Sequence, residues 1–141
     1  MKTTRWVAAI AAVFFGLGVE PVHAKRGAPR DVQLERGSRV YRANHWTVAN
    51  YGTKANGGVV ETFDRKSNKL LTWTQVYCIQ VDSSLEGDSQ DVFIVAFGFQ
   101  GHSLIVTDEL GDVFELDVQT KRVSVKTLVS VGGRPSRVRL C

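Results

Sequence analysis

From residue 39 onward the chain repeats one pattern: a short run of β-branched and aromatic residues, then a cluster of Gly, Asn, Asp, Ser or Lys. The runs are Arg39–Arg42, His45–Tyr51, Val59–Phe63, Leu70–Val81, Val92–Phe97, Leu104–Thr107, Val113–Val118, Val123–Val129 and Val138–Leu140. Turn signals recur roughly every 8–12 residues, which is the spacing of an antiparallel all-β domain. Leu70–Val81 is the longest run, and its alternation places apolar side chains on both faces, as in a central strand. Val92–Phe97 is nearly continuous in apolar residues, as in a strand covered on both sides. No long stretch repeats apolar residues at helical spacing. The pattern predicts an all-β, single antiparallel domain, a sandwich or partly open barrel.

Two segments share a finer pattern. "HSLIVTDELGDVFELDVQTKRVSVKT" resembles one blade of a β-propeller, and "YGTKANGGVVETFDRKSNKLLTWTQVY" is a looser copy, with "FDRKSNKLL" against "LDVQTKRVS". An internal duplication and two ordinary blade-like meanders both account for this, and two ordinary meanders is the reading adopted. A closed propeller takes about four to eight such units.

The ends fix the compartment. Lys2 and Arg5 precede the apolar run Trp6–Val19, and Val22 and Ala24 stand at the −3 and −1 positions of a cleavage site. Residues 1–24 therefore read as a secretory signal peptide. Pro21 closes the run before the roughly 20 apolar residues of a membrane span, so no membrane anchor is expected after cleavage. Residues 25–37 read as a flexible basic lead-in and 38–141 as the folded, all-β binding domain. The compartment expected is periplasmic, with secretion as the alternative. Such a compartment is oxidising, and the only two cysteines, Cys78 and Cys141, are expected to form one disulfide. Its loop of about 64 residues corresponds to about 4 kcal/mol of stabilisation.

The formal net charge is +4, but the charges come in blocks. Asp82 to Asp117 contains nine acids and no Lys or Arg, whereas Lys121 to Cys141 contains six bases and no acid. Such blocks give a folded surface a dipolar field.

Little in the chain suggests catalysis. His102 and Ser103 are neighbours, so in extended backbone their side chains diverge, and no orienting acid accompanies them. No G-x-S-x-G elbow occurs. His45 and His102 are too few and too far apart for a zinc set. Asp82, Ser84, Glu86 and Gly87 imitate the start of a calcium loop, but Phe93 occupies the position of its bidentate glutamate. Arg134, Arg137 and Arg139 lack the interleaved aromatics of a nucleic-acid surface and read as a charged edge. We expect no enzymatic activity, no cofactor, no metal and no nucleic-acid partner.

Contact chemistry remains, and "FGFQGHS" (Phe97–Ser103) is the candidate. Gly98 and Gly101 permit tight backbone. With Phe97 turned inward, Phe99, Gln100, Gly101, His102 and Ser103 would be displayed as a binding wedge. The acids flanking the segment would draw a basic partner. The opposing possibility is that Phe99 folds back and caps the core. Trp46 and Trp73 could serve as sugar platforms, although each lies among apolar neighbours and core packing is the simpler reading.

In this architecture the chain is similar to the periplasmic immunity proteins that neutralise type VI secretion cell-wall amidases, and to the periplasmic lysozyme inhibitors. The blade-like "IVTDELGDVFELD" leans toward the first group, and the Ser/Gly-rich turn leading to a tyrosine of the second is absent. The resemblance implies a protein that inhibits a basic secreted peptidoglycan hydrolase by inserting a loop into its active site. His102 and Ser103 would then bond catalytic groups, and Phe99 would fill an apolar subsite. A secreted carbohydrate- or peptidoglycan-binding module is the alternative.

Overall fold

The structure is a computed structural model, and it describes residues 27, 29–85, 87–130 and 132–141. Residues 1–24, the expected signal peptide, lie outside the described residues.

The all-β expectation holds. Strands β1 (Gln33–Arg36), β2 (Arg39–Asn44), β3 (Val59–Asp64) and β4 (Leu70–Gln75) form one antiparallel sheet in that order. Strands β6 (Ile94–Gln100), β7 (Ser103–Asp108), β8 (Val113–Asp117) and β9 (Val123–Thr127) form a second sheet in the same order. Between them in sequence lies β5 (Cys78–Ile79), which pairs with β10 (Val138–Arg139) in a two-stranded ribbon. The architecture is that of an open sandwich, with no closed barrel among the described residues.

One core joins the three sheets. Tyr41 and Val60 come from the first sheet, Leu104, Val106, Phe114 and Leu116 from the second, and Ile79 and Val138 from the ribbon. Tyr77, fully buried, stacks on Phe114 with centroids 5.1 Å apart. Its hydroxyl donates to the Val92 carbonyl at 2.8 Å, which satisfies the one polar atom the ring brings inside. Gly57 and Gly58 are the reason the first sheet can close over this ring. A Cβ on Gly57 would stand 1.8 Å from the Tyr77 carbonyl oxygen, and one on Gly58 2.5 Å from the Tyr77 ring. Cys78 and Cys141 are joined as a disulfide, with Cα atoms 5.2 Å apart. The bond fastens the last residue beside the Cys78–Arg139 pair of the ribbon.

The two four-stranded sheets share their turn chemistry as well as their order. Both first hairpins turn on a left-handed glycine, Gly37 at φ 59° and Gly101 at φ 60°. Both third hairpins hang on an aspartate. Asp64 N–H donates to the Lys69 carbonyl and Asp117 N–H to the Arg122 carbonyl, each at 2.9 Å. Asp64 Oδ1 accepts from Ser67 N–H at 2.8 Å, and Asp117 Oδ1 from Thr120 N–H at 2.9 Å. The next residue is left-handed in each, Asn68 at φ 54° and Lys121 at φ 62°. The aligned pair "FDRKSNKLL" and "LDVQTKRVS" thus marks one turn built twice. The units differ at their middle connection, which spans 45–58 in the first and 109–112 in the second.

Four expectations need correction. His45–Tyr51 is no strand: Thr47–Tyr51 is a one-turn helix (α1), stopped by Gly52, whose φ of 64° is the left-handed C-terminal cap. Leu70–Val81 is not one central strand. It breaks at Val76 and Tyr77, and β4 is an edge strand. The lead-in 25–37 is not irregular throughout, because Gln33–Arg36 is β1, fully paired to β2. Val92–Phe97 is not a strand covered on both sides: β6 starts at Ile94, continues through Gln100, and leaves Val95 and Ala96 exposed after a bulge.

Candidate contact surfaces

The meander topology gives the sandwich two distinct ends. The β1–β2 and β3–β4 turns lie at one end of the first sheet, and the β6–β7 and β8–β9 turns at one end of the second. These are the same end of the molecule. Arg36 Nη1 donates to the Gly101 carbonyl at 2.6 Å, and its guanidinium lies 4.4 Å from the Phe99 ring centre. The middle connections and the 82–91 segment meet at the opposite end, where His45 Nε2 accepts from Ile94 N–H at 2.8 Å and Phe93 N–H donates to Glu109 at 2.9 Å.

This arrangement redraws the predicted wedge. Phe97 to Gln100 belong to β6 and Ser103 to β7, so only Gly101 and His102 form the tip. Phe97 and Phe99 sit two residues apart on one face, and both pack against the core. Phe99 lies edge-on to Tyr41 at 5.4 Å under the Arg36 guanidinium, so the core-capping possibility is the one realised. Gln100 and Ser103 face each other across the hairpin. Gln100 accepts from Lys126, whose ammonium also stands 3.6 Å from Glu115. The Ser103 hydroxyl bonds the Glu115 carboxylate, and with Lys126 holds it below the ordinary glutamate range. His102 remains exposed at the tip.

The acids do not surround this tip. Asp82, Asp91, Asp108, Glu109 and Asp112 all belong to the opposite end. The seven residues of β6 separate the ends by about 20 Å at roughly 3.3 Å per residue. That is about two Debye lengths at physiological salt, so these acids exert little pull at the tip. The turns around the tip (35–39, 64–69, 100–103 and 117–122) carry seven Lys or Arg against three acids.

At the acidic end, Asp112 is buried and fully engaged: Oδ1 accepts from Val129 N–H and Oδ2 from the Ser136 hydroxyl, both at 2.5 Å. Asp108 Oδ1 accepts from the N–H groups of Leu110 and Asp112, each at 2.9 Å, while Oδ2 is buried with no hydrogen-bond partner among the described residues. Burial raises its carboxyl to about 6, with Asp112 and Glu109 adding to the rise against the two N–H bonds. Burial lowers His45 to about 4 despite the nearby Glu109. In the 82–91 segment, Asp82 Oδ1 is used by the Ser84 N–H and hydroxyl, and Glu86 lies outside the described residues. Among the described residues no three His, Cys, Asp or Glu are grouped to hold a metal ion.

The outer face of the first sheet carries a feature the sequence reading discounted. Trp73 is 40% exposed and Trp46 52%, so neither is core. Tyr51, at the end of α1, stacks on Trp73 with centroids 4.5 Å apart, and its hydroxyl donates to Glu61. Burial, then the Glu61 bond, raises the Tyr51 hydroxyl pKa. Asn44 donates to Glu61 at 2.9 Å and accepts from Trp46 N–H and Asn50. The available signal was "NYG": an Asn-Tyr pair before glycine is a helix stop, and a helix there carries Tyr51 over β4.

No family model, curated protein or solved structure matches the chain.

Proposed function

We propose that this chain is an exported binding protein that blocks a cell-wall hydrolase by contact, leading with the β6–β7 hairpin. The observation that carries this reading is the pinning of the tip. Arg36 ties the Gly101 carbonyl to the first sheet, and the Lys126–Gln100 contact ties the same hairpin to β9. An exposed turn held in advance loses little conformational entropy on binding. The Cys78–Cys141 bond fits an oxidising, exported compartment, and among the described residues no helix is long and apolar enough to cross a membrane. Within the proposal, Gly101 and His102 enter the partner's cleft, and Phe99 supports them from beneath. The test is peptidoglycan hydrolysis by an amidase encoded beside this gene, titrated with the mature protein. Stoichiometric loss of hydrolysis, restored when two residues are inserted between Gly101 and His102, supports the reading. Undiminished hydrolysis at tenfold excess refutes it.

The partly exposed Trp73 stacked on Tyr51, with Glu61 and Asn44 beside the pair, favours a second reading, a glycan-binding face. Retention on purified peptidoglycan, lost in Trp73→Ala, would support it.

A further inference from the structure

Four turns meet at the hairpin end, and their cations exceed what the local acids can neutralise. Arg39 lies 3.5 Å from Asp64, and Arg65 lies 3.0 Å from Glu35. Those two pairs use two of the three acids. Arg36 is committed to a backbone carbonyl and a ring, which leave its charge unneutralised. The third acid, Asp117, stands near Lys121, and its Oδ1 already accepts from Gln119 and Thr120 N–H; among the described residues Lys66, Lys69 and Arg122 form no ion pair. Burial lowers the Lys121 pKa, and the nearby Arg39 guanidinium lowers it further against the pull of Asp117, so cations of two turns stand close together. Like charges gathered at a surface without counter-charges repel one another, and an anionic partner relieves that repulsion on docking.

We propose that the hairpin end, from Arg36 and Lys66 to Lys121 and Arg122, docks against an acidic face of a partner protein. This deepens the inhibitor reading and rests on it, and it replaces the basic hydrolase expected from sequence with one whose cleft rim is acidic. The shape of the surface favours a protein over other polyanions. It is a group of four tight hairpin turns, a fixed array of side chains that a folded protein face can match. Its aromatic rings, Phe99 and Phe63, lie under Arg36 and Arg42, so no ring is free to stack a base.

Labelled poly-L-glutamate serves as the probe, with the full mature chain and fluorescence anisotropy as readout. The wild type is expected to bind at low salt and to release near physiological ionic strength. Lys121→Glu/Arg122→Glu should weaken binding at least tenfold. Arg134→Glu/Arg137→Glu changes the net charge equally at the other end and should leave binding within twofold. Equal losses in the two variants, no binding by the wild type, or preference for vesicles containing anionic lipid would each overturn the inference. Hydrolase titration separates the two proposals. Inhibition that persists at full strength in Lys121→Glu/Arg122→Glu sinks the acidic-rim inference alone. Intact polyglutamate binding without inhibition of any hydrolase sinks the inhibitor reading alone.

Discussion

His45 and Asp108 sit at the same end of the sandwich with opposite protonation demands, and acidification should expose them one against the other. His45 is buried with Nε2 accepting from Ile94 N–H, a role only the neutral ring can fill. Its pKa falls from 6.5 unfolded to about 4 folded. The stability it contributes is therefore complete above pH 6.5 and is lost as pH falls through 6.5 toward 4. Asp108 runs the other way. Its pKa rises from 3.8 to about 6, so the folded state takes up a proton, and stability is gained as pH falls from 6 toward 3.8. At about 1.4 kcal/mol per unit each shift corresponds to roughly 3 kcal/mol, and solvent screening brings each to about 2 kcal/mol. The two slopes overlap between pH 6 and 4, so the wild type should show a nearly flat profile there. The variants unmask them. His45→Gln keeps an acceptor for Ile94 N–H and removes the ring, so its stability should rise by about 2 kcal/mol from pH 6.5 to 4. Asp108→Asn keeps an acceptor for the Leu110 and Asp112 N–H groups, and its stability should fall by about 2 kcal/mol over the same range. Urea unfolding followed by tryptophan fluorescence, at half-unit pH steps with the disulfide intact, gives both curves. If both variants track the wild-type profile within about 0.5 kcal/mol, the assignment of these two groups is refuted.

Three further outcomes follow from single contacts. Cys78→Ser/Cys141→Ser should lose on the order of 4 kcal/mol, read as a lower urea midpoint than the oxidised wild type. Gly57→Ala forces a methyl to 1.8 Å from the Tyr77 carbonyl, so the sheet must shift. It should cost more than about 3 kcal/mol or prevent folding, while Gly98→Ala, with nothing within 4 Å, should cost less than about 1 kcal/mol, both measured by thermal unfolding. Asp64→Ala and Asp117→Ala remove the same anchor from the two matched turns and should each cost about 1 kcal/mol. Costs differing by more than twofold would show that the turns are not energetically equivalent.

The strand content was legible because period-two alternation survives in β7 and β8, where inward Leu104, Val106, Phe114 and Leu116 alternate with half-exposed neighbours, and in β3 from Val60 onward. The cysteine pair was legible because the chain has two cysteines and its first residues led to the expectation of an oxidising compartment. The helix at Thr47–Tyr51 was hidden because Trp, Thr, Val and Tyr have strand propensity, and only Gly52 and the flanking asparagines oppose it. The break at Val76–Tyr77 was hidden because alternation continues through it in the letters. The backbone leaves the sheet there because Tyr77 must turn inward under Gly57 and Gly58, a demand set by residues some twenty positions earlier. The exposure of Trp73 could not be read from neighbour hydrophobicity, since β4 is an edge strand whose outer face Tyr51 partly covers.

In a meander, charges close in sequence need not be close in space. Each strand carries the chain the length of the sandwich, so residues on either side of a strand stand at opposite ends, while turns two strands apart are neighbours. The acids that precede β6 and follow β7 flank the Gly101–His102 tip in the letters, yet both groups lie at the far end. The bases Arg36, Lys66 and Lys121, scattered over more than eighty positions, converge beside it. Folding thus segregates a mixed-charge chain into a cationic tip end and an acidic opposite end. A partner met by the tip feels the first field and, beyond a Debye length, little of the second. The sign of the partner's charge is therefore decided by strand count between turns, and no window of contiguous residues contains it.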